Sequence, residues 1–130
     1  MKNLFLSVTI VLNCIVCIAQ IVVTNPLCEN RNFPIGLDIT ESELSWQLVS
    51  SVRNTMQTAY EIRVAENKAD IIKGRTLIWN SGKIVADQSL HVAYAGGKLQ
   101  SPKKYYWQVR VRDNYGKVSE WSYSVPCLLV

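Results

Sequence analysis

The segment from Tyr105 to Ser122 constrains the chain more than any other stretch. Tyr105, Trp107, Val109 and Val111 alternate with Tyr106, Gln108, Arg110 and Arg112. Successive side chains leave a strand on opposite faces, so this period of two predicts a half-buried strand with the first set inward. Asp113-Asn114-Tyr115-Gly116 then supplies turn chemistry, because Asn and Gly tolerate positive φ and Asp bonds nearby backbone. Val118–Val125 reads as the returning strand. Leu99 lies six residues before Tyr105 with Pro102 between them. That is the layout of a tyrosine corner, in which a Tyr at a strand start bonds back to upstream backbone at the end of a sandwich.

A chain of 130 residues holds one domain. The leading residues look like something other than part of it. Met1-Lys2-Asn3 is a short positive segment, Leu4–Ile18 is an apolar run, and Cys17-Ile18-Ala19 places small residues at the two cleavage-determining positions. This is the arrangement of a secretory signal peptide over 1–19, cut before Gln20, and it predicts an exported protein, periplasmic or extracellular. Ile21-Val22-Val23 could extend the run into an uncleaved anchor, but Asn13 and Gln20 interrupt it, so no stable membrane anchor is expected. A lipoprotein anchor on Cys14 or Cys17 is disfavoured by Asn13 and Val16 before them. The domain would then span 20–130. Without Lys2 the net charge falls from +4 to +3, and the basic residues are scattered and interleaved with acids. A nucleic-acid surface would want a denser basic stripe, so no nucleic-acid partner is expected.

Further strands follow from the same periodicity. A short first strand is expected around Leu27–Glu29, after Pro26, followed by an irregular loop with Pro34 and Gly36. Leu44, Trp46 and Leu48 mark a second strand. Tyr60, Ile62 and Val64 mark a third with Glu61 and Arg63 outward. Leu77–Trp79, broken by Asn80-Ser81-Gly82 and continued at Lys83–Val85, makes a fourth. Leu90, Val92 and Tyr94 make a fifth, closed by Gly96-Gly97. Asn67–Arg75 is ambiguous: Ala69, Ile72 and the charges around them suit one turn of helix, too short to stand without packing. The total is about seven strands and no helix of core length, an all-β immunoglobulin-like sandwich with Trp46, Tyr60, Tyr105 and Trp107 as its aromatic core. Cys28 and Cys127 fall in the first and last strands. Their outer ends are expected at opposite poles, which favours two buried free thiols over a bridge, since bridging needs Cα atoms within about 7 Å; export keeps a disulfide open.

The order Leu44-x-Trp46, Leu99 to Tyr105 and Tyr105-x-Trp107-x-Val109-x-Val111 with its Gly turn resembles a fibronectin type III domain. A closer likeness runs through Pro26-Leu27-Cys28-Glu29, Pro34-Ile35-Gly36-Leu37-Asp38, Leu44-Ser45-Trp46-Gln47-Leu48, Gln57-Thr58-Ala59-Tyr60, Trp79-Asn80-Ser81-Gly82-Lys83 and Tyr105–Val111. In this order the words are similar to the N-terminal sandwich module of bacterial α-L-rhamnosidases, exported glycoside hydrolases that remove terminal α-L-rhamnose. The resemblance implies a non-catalytic module whose partner is the catalytic domain of the same enzyme, an α-helical barrel lying beyond this region. It carries no catalytic residue onto this chain. The ending Pro126-Cys127-Leu128-Leu129-Val130 departs from the aromatic and acidic residues that the resemblance implies there, as a truncated reading frame would.

Independent chemistry finds little support in the residues. Glycoside cleavage needs two positioned carboxyl groups, and Glu41 and Glu43 read as a solvated pair at a loop edge. His91, set between inward-facing Leu90 and Val92, should point to solvent rather than serve a nucleophile. One His and two distant Cys give no zinc spacing, and no phosphate-cradling Gly loop is present, so neither metal nor cofactor is expected. Binding is the rival class. Trp79, Tyr106, Tyr115, Trp121 and Tyr123 lie beyond the evident core set, and Tyr115 and Trp121 are the candidate rings for stacking on a rhamnose-containing glycan. The alternative is that such aromatics fill the sandwich or pack on a neighbouring domain. A free-standing protein-interaction module also fits the fold.

Overall fold

The computed structural model describes residues 21–32, 40–97, 99 and 103–129. The signal-peptide reading falls outside these residues, as does the backbone at 100–102 near the expected tyrosine corner. Seven strands are present among them: β1 (Val22–Asn32), β2 (Thr40–Val49), β3 (Gln57–Ala65), β4 (Leu77–Asn80), β5 (Val92–Ala93), β6 (Lys103–Asp113) and β7 (Val125–Leu129), with one short helix, α1 (Lys68–Lys73). All pairings are antiparallel, in a three-stranded sheet β1-β2-β5 and a four-stranded sheet β4-β3-β6-β7. The architecture is the all-β sandwich that the alternation predicts.

The two inner faces meet in one core. Leu44 and Trp46 from β2 oppose Ile62 and Val64 from β3 and Tyr105, Trp107, Val109 and Val111 from β6. Trp46 and Trp107 are each 1% exposed, and Tyr60, half-buried, sets its ring edge-on to Trp46 at 5.3 Å. Trp79 packs against the same core and makes a similar edge contact with Tyr94 at 4.8 Å. Burial pushes the Tyr60 and Tyr94 phenols up from their ordinary value, so both are neutral at physiological pH. Leu99 packs on this core beside buried Tyr105. Gly96 lies where an added Cβ would run into the Tyr94 side chain, which accounts for a residue without one there.

The expectation of free thiols is overturned: Cys28 and Cys127 form a disulfide, with Cα atoms 5.7 Å apart. β1 is an edge of one sheet and β7 an edge of the other, and both edges lie on the same side of the sandwich. Both cysteines sit within their strands, opposite Leu44 and Tyr105 respectively, rather than at outer ends. The argument from opposite poles therefore does not apply. β7 also explains Pro126, since an edge strand tolerates a residue without an N–H.

Other expectations need adjustment. β1 is longer than the predicted Leu27–Glu29 and starts beside Ile21, which together with Val23 is buried in the core. Ile21 and Val23 belong to the sandwich core, and no helix among the described residues is long and apolar enough to cross a membrane. Beyond β4, the predicted continuation at Lys83–Val85 reduces to one bridge between Ile84 and Tyr60. Leu90 is 60% exposed rather than inward. The return from the Gly116 turn does not pair as a strand until Val125. Between them Ser119 and Ser122 stand in for a ladder. Each donates its N–H to a β6 carbonyl, Val111 and Val109, while its hydroxyl accepts the N–H of that same β6 residue.

The ambiguous 67–75 stretch is helical over α1. Asn67 caps it, its Oδ1 accepting from the Asp70 N–H at 2.9 Å, and Gly74 ends it at φ 65°. The inward residue is Ile71, fully buried, whereas Ala69 and Ile72 face out. A six-residue helix cannot hold itself together, so the cap and this one anchor hold it against β3 and β6. Replacing Asn67 by Ala is expected to cost about 1 kcal/mol in chemical denaturation.

Candidate functional site

The outward face of the four-stranded sheet carries a cluster of interacting charged and polar side chains. β3 presents Ala59, Glu61 and Arg63 there, and β6 presents Gln108, Arg110 and Arg112, because alternate residues share a face. Register then fixes the partners: Arg63 lies opposite Gln108, Glu61 opposite Arg110, and Ala59 opposite Arg112. Arg63 donates through Nε and Nη2 to Gln108 Oε1 at 3.0 and 2.8 Å. Arg110 Nη2 donates to Glu61 Oε1 at 3.2 Å.

Trp121 joins the two arginines. The Arg63 and Arg110 guanidinium carbons lie 4.0 and 4.6 Å from the centre of its ring. The Ser119 and Ser122 bonds hold the segment that carries it against β6. Burial lowers the Arg63 pKa from its usual value, the nearby Arg110 charge lowers it further, and Glu61 opposes both. The ring's negative face and Glu61 thus offset the repulsion between two adjacent cations. Trp121→Ala should cost about 1–2 kcal/mol in urea denaturation, beyond the loss from a neutral surface aromatic.

Tyr115 has a different setting. It is 53% exposed, and its hydroxyl donates to the Arg53 carbonyl at 3.1 Å. Asn114 ties the same two loops through Met56 N–H, Met56 carbonyl and Asn54 carbonyl. Of the two rings singled out for sugar stacking, Tyr115 is open and held in place, while Trp121 is engaged by guanidinium groups. The sequence shows Arg63 and Arg110 as outward residues. It does not show that Trp121 reaches them, because that depends on the serine stagger that displaces residues 118–124 from a regular ladder.

Several carboxylates are committed to structure. Glu43 binds His91 Nδ1 at 2.8 Å, Glu66 binds Lys103 Nζ at 2.8 Å, and Asp70 contacts Arg75 Nε at 3.5 Å. The hydrogen bond to Glu66 is the main reason that the Lys103 pKa is raised. Asp113 Oδ1 accepts the Tyr115 and Lys117 N–H groups and shapes the turn. No group of three His, Cys, Asp or Glu able to hold a metal ion occurs among the described residues.

The match to known proteins is continuous across this framework. A family model described as the Rha78A-like, N-terminal immunoglobulin domain matches residues 23–126. The chain belongs to that family. The domain is 42% identical over 100 residues to an α-L-rhamnosidase of Streptomyces avermitilis, covering 77% of this chain and 10% of the relative. It is 30% identical over 96 residues to an α-L-rhamnosidase of Formosa agariphila, covering 74% of this chain and again 10% of the relative. Among solved structures, the Streptomyces avermitilis enzyme complexed with L-rhamnose superposes with a TM-score of 0.71 at 39% identity, over 82% of this chain and 10% of that one. The α-L-rhamnosidase from Dictyoglumus thermophilum gives 0.69 at 28%, over 80% of this chain and 12% of that one. The chain thus spans about a tenth of the length of the curated relatives it matches.

Proposed function

We propose that this Rha78A-like immunoglobulin domain is the non-catalytic N-terminal module of an exported α-L-rhamnosidase, and that it braces the rest of such an enzyme rather than cleaving glycosides. The observation that carries the reading is the match of nearly the whole sandwich to about a tenth of rhamnosidases. The commitment of Glu43, Glu61, Glu66, Asp70 and Asp113 to ion pairs and turn bonds supports it, since glycoside hydrolysis calls for two carboxyl groups facing one bond. The outward face of the three-stranded sheet supports the bracing role, because Val22, Leu27 and Val49 are exposed there with Val22 directly opposite Val49. Apolar residues so placed are suited to cover by a neighbouring domain. The disulfide agrees with an oxidising destination.

The test is an assay of the purified chain for L-rhamnose release from an aryl α-L-rhamnoside. The expected result is no release above the uncatalysed rate, and turnover lost on replacing Glu43 or Glu61 by Gln would overturn the proposal. Replacing Val22, Leu27 and Val49 together by Thr should reduce self-association of the isolated domain in sedimentation velocity. Unchanged self-association would argue against that face as the bracing surface. For export, the mature N-terminus of the protein recovered from the periplasm or medium should be Gln20.

A further inference from the structure

One groove on the outward face of the four-stranded sheet is not accounted for by the bracing reading. It is shallow and open to solvent, and is lined by Ala59, Glu61, Lys83, Arg110, Arg112 and Val118 among others. Ala59 forms part of the floor between β6, which carries Arg110 and Arg112, and the segment after β4, which carries Lys83. Three cations therefore line it against a single carboxylate, Glu61, and that carboxylate is already bonded to Arg110 through both oxygens, at 3.2 and 3.4 Å.

Arg112 and Lys83 are left over. Neither side chain has a carboxylate partner among the described residues, in contrast to Arg110, Lys103 and Arg75. Register explains the imbalance: the residue facing Arg112 across the strands is Ala59, where the next pair along has Glu61 facing Arg110. Arg112 is half-buried, so its guanidinium is less screened than that of a fully solvated arginine. Two cations without a carboxylate partner thus line one groove beside Ala59, and a guanidinium is suited to bind two oxygens of one compact anion. A shallow, open groove does not enclose a drug-sized ligand, which restricts the guest to one substituent of a larger molecule resting on the surface.

We propose that this groove binds an oxyanion substituent of a saccharide, a carboxylate or a sulfate ester, with Arg112 and Lys83 as the recognition residues. The saccharide context rests on the proposed function; recognition of the anion rests on the groove alone.

The test is a titration of the isotopically labelled domain at low ionic strength, followed by amide NMR. The probes are sodium glucuronate, glucose 6-sulfate and L-rhamnose as the neutral control. Saturable shifts are expected at Ala59, Glu61 and Arg112 with an anionic sugar and not with L-rhamnose; which anion gives them identifies the substituent. Arg112→Gln with Lys83→Gln should weaken the response about tenfold or more, the scale of one lost charge-assisted hydrogen bond. Arg112→Lys should retain part of it, and Lys104→Gln, an exposed cation on β6 outside the groove, should leave it unchanged. No saturable shift with either anion overturns the proposal, as does an equal response in the double variant. Either outcome is distinct from failure of the proposed function, which the hydrolysis assay and the sedimentation comparison report.

Discussion

Reduction of the Cys28–Cys127 bridge is expected to lower the stability of the domain by about 2–5 kcal/mol. The bridge encloses a sequence separation of 99 residues, so it restricts the unfolded chain far more than a local link would. For a domain of this size the loss corresponds to about 10–20 °C in melting temperature. It should appear equally with a reducing agent and in the Cys28→Ala, Cys127→Ala double variant. Identical melting curves with and without reductant would show that the two sulfurs are not joined in solution. The single variants should fall with the double, because either one removes the whole link.

The second large effect lies at Trp46. Its indole N–H donates to Gln57 Oε1 at 3.0 Å, and the Gln57 amide donates in turn to the carbonyls of Ala86 and Gln88 at 3.1 and 2.9 Å. The Trp46 backbone N–H binds the Ser89 carbonyl as well. One buried pair thereby secures the segment between β4 and β5, which has little ladder of its own. Trp46→Ala is expected to cost about 3–5 kcal/mol through the cavity and the lost contacts. A sharper comparison uses Phe at both core tryptophans. Trp107 Nε1 has no hydrogen-bond partner among the described residues, so Trp107→Phe removes no bond. Trp46→Phe leaves the buried Gln57 oxygen unpaired, an added penalty of about 1–3 kcal/mol. Trp46→Phe should therefore be the more damaging change in urea titration, and the reverse order would remove the role assigned to Gln57.

The sandwich was legible because its central strands are regular. Tyr105–Arg112 and Tyr60–Val64 alternate without interruption, and alternation depends only on which face a side chain leaves. The less legible parts depend on how distant segments are arranged. Nothing in the spacing of Cys28 and Cys127 tells that β1 and β7 border the same side of the sandwich. Val118–Val125 contains enough apolar residues to read as a strand, yet Ser119 and Ser122 hydroxyls replace part of its pairing and turn Trp121 toward Arg63 and Arg110. Ile71 rather than Ile72 is the helix anchor because it is the residue that α1, packed against β3 and β6, turns inward, and that docking is not written in the local sequence. The groove beside Ala59 was invisible for the same reason: unmatched charge is a property of cross-strand register, which the linear order of Lys83 and Arg112 does not contain.

The position of the disulfide also bears on how the domain responds to proteolysis. All the loops described between β1 and β7 lie within the covalent ring closed by Cys28 and Cys127. A single cut in any of them, including the open stretch around Val85, opens the ring without releasing a piece. The nicked protein stays one molecule, its fragments remain neighbours, and the strands on either side of the cut can pair again instead of diffusing apart.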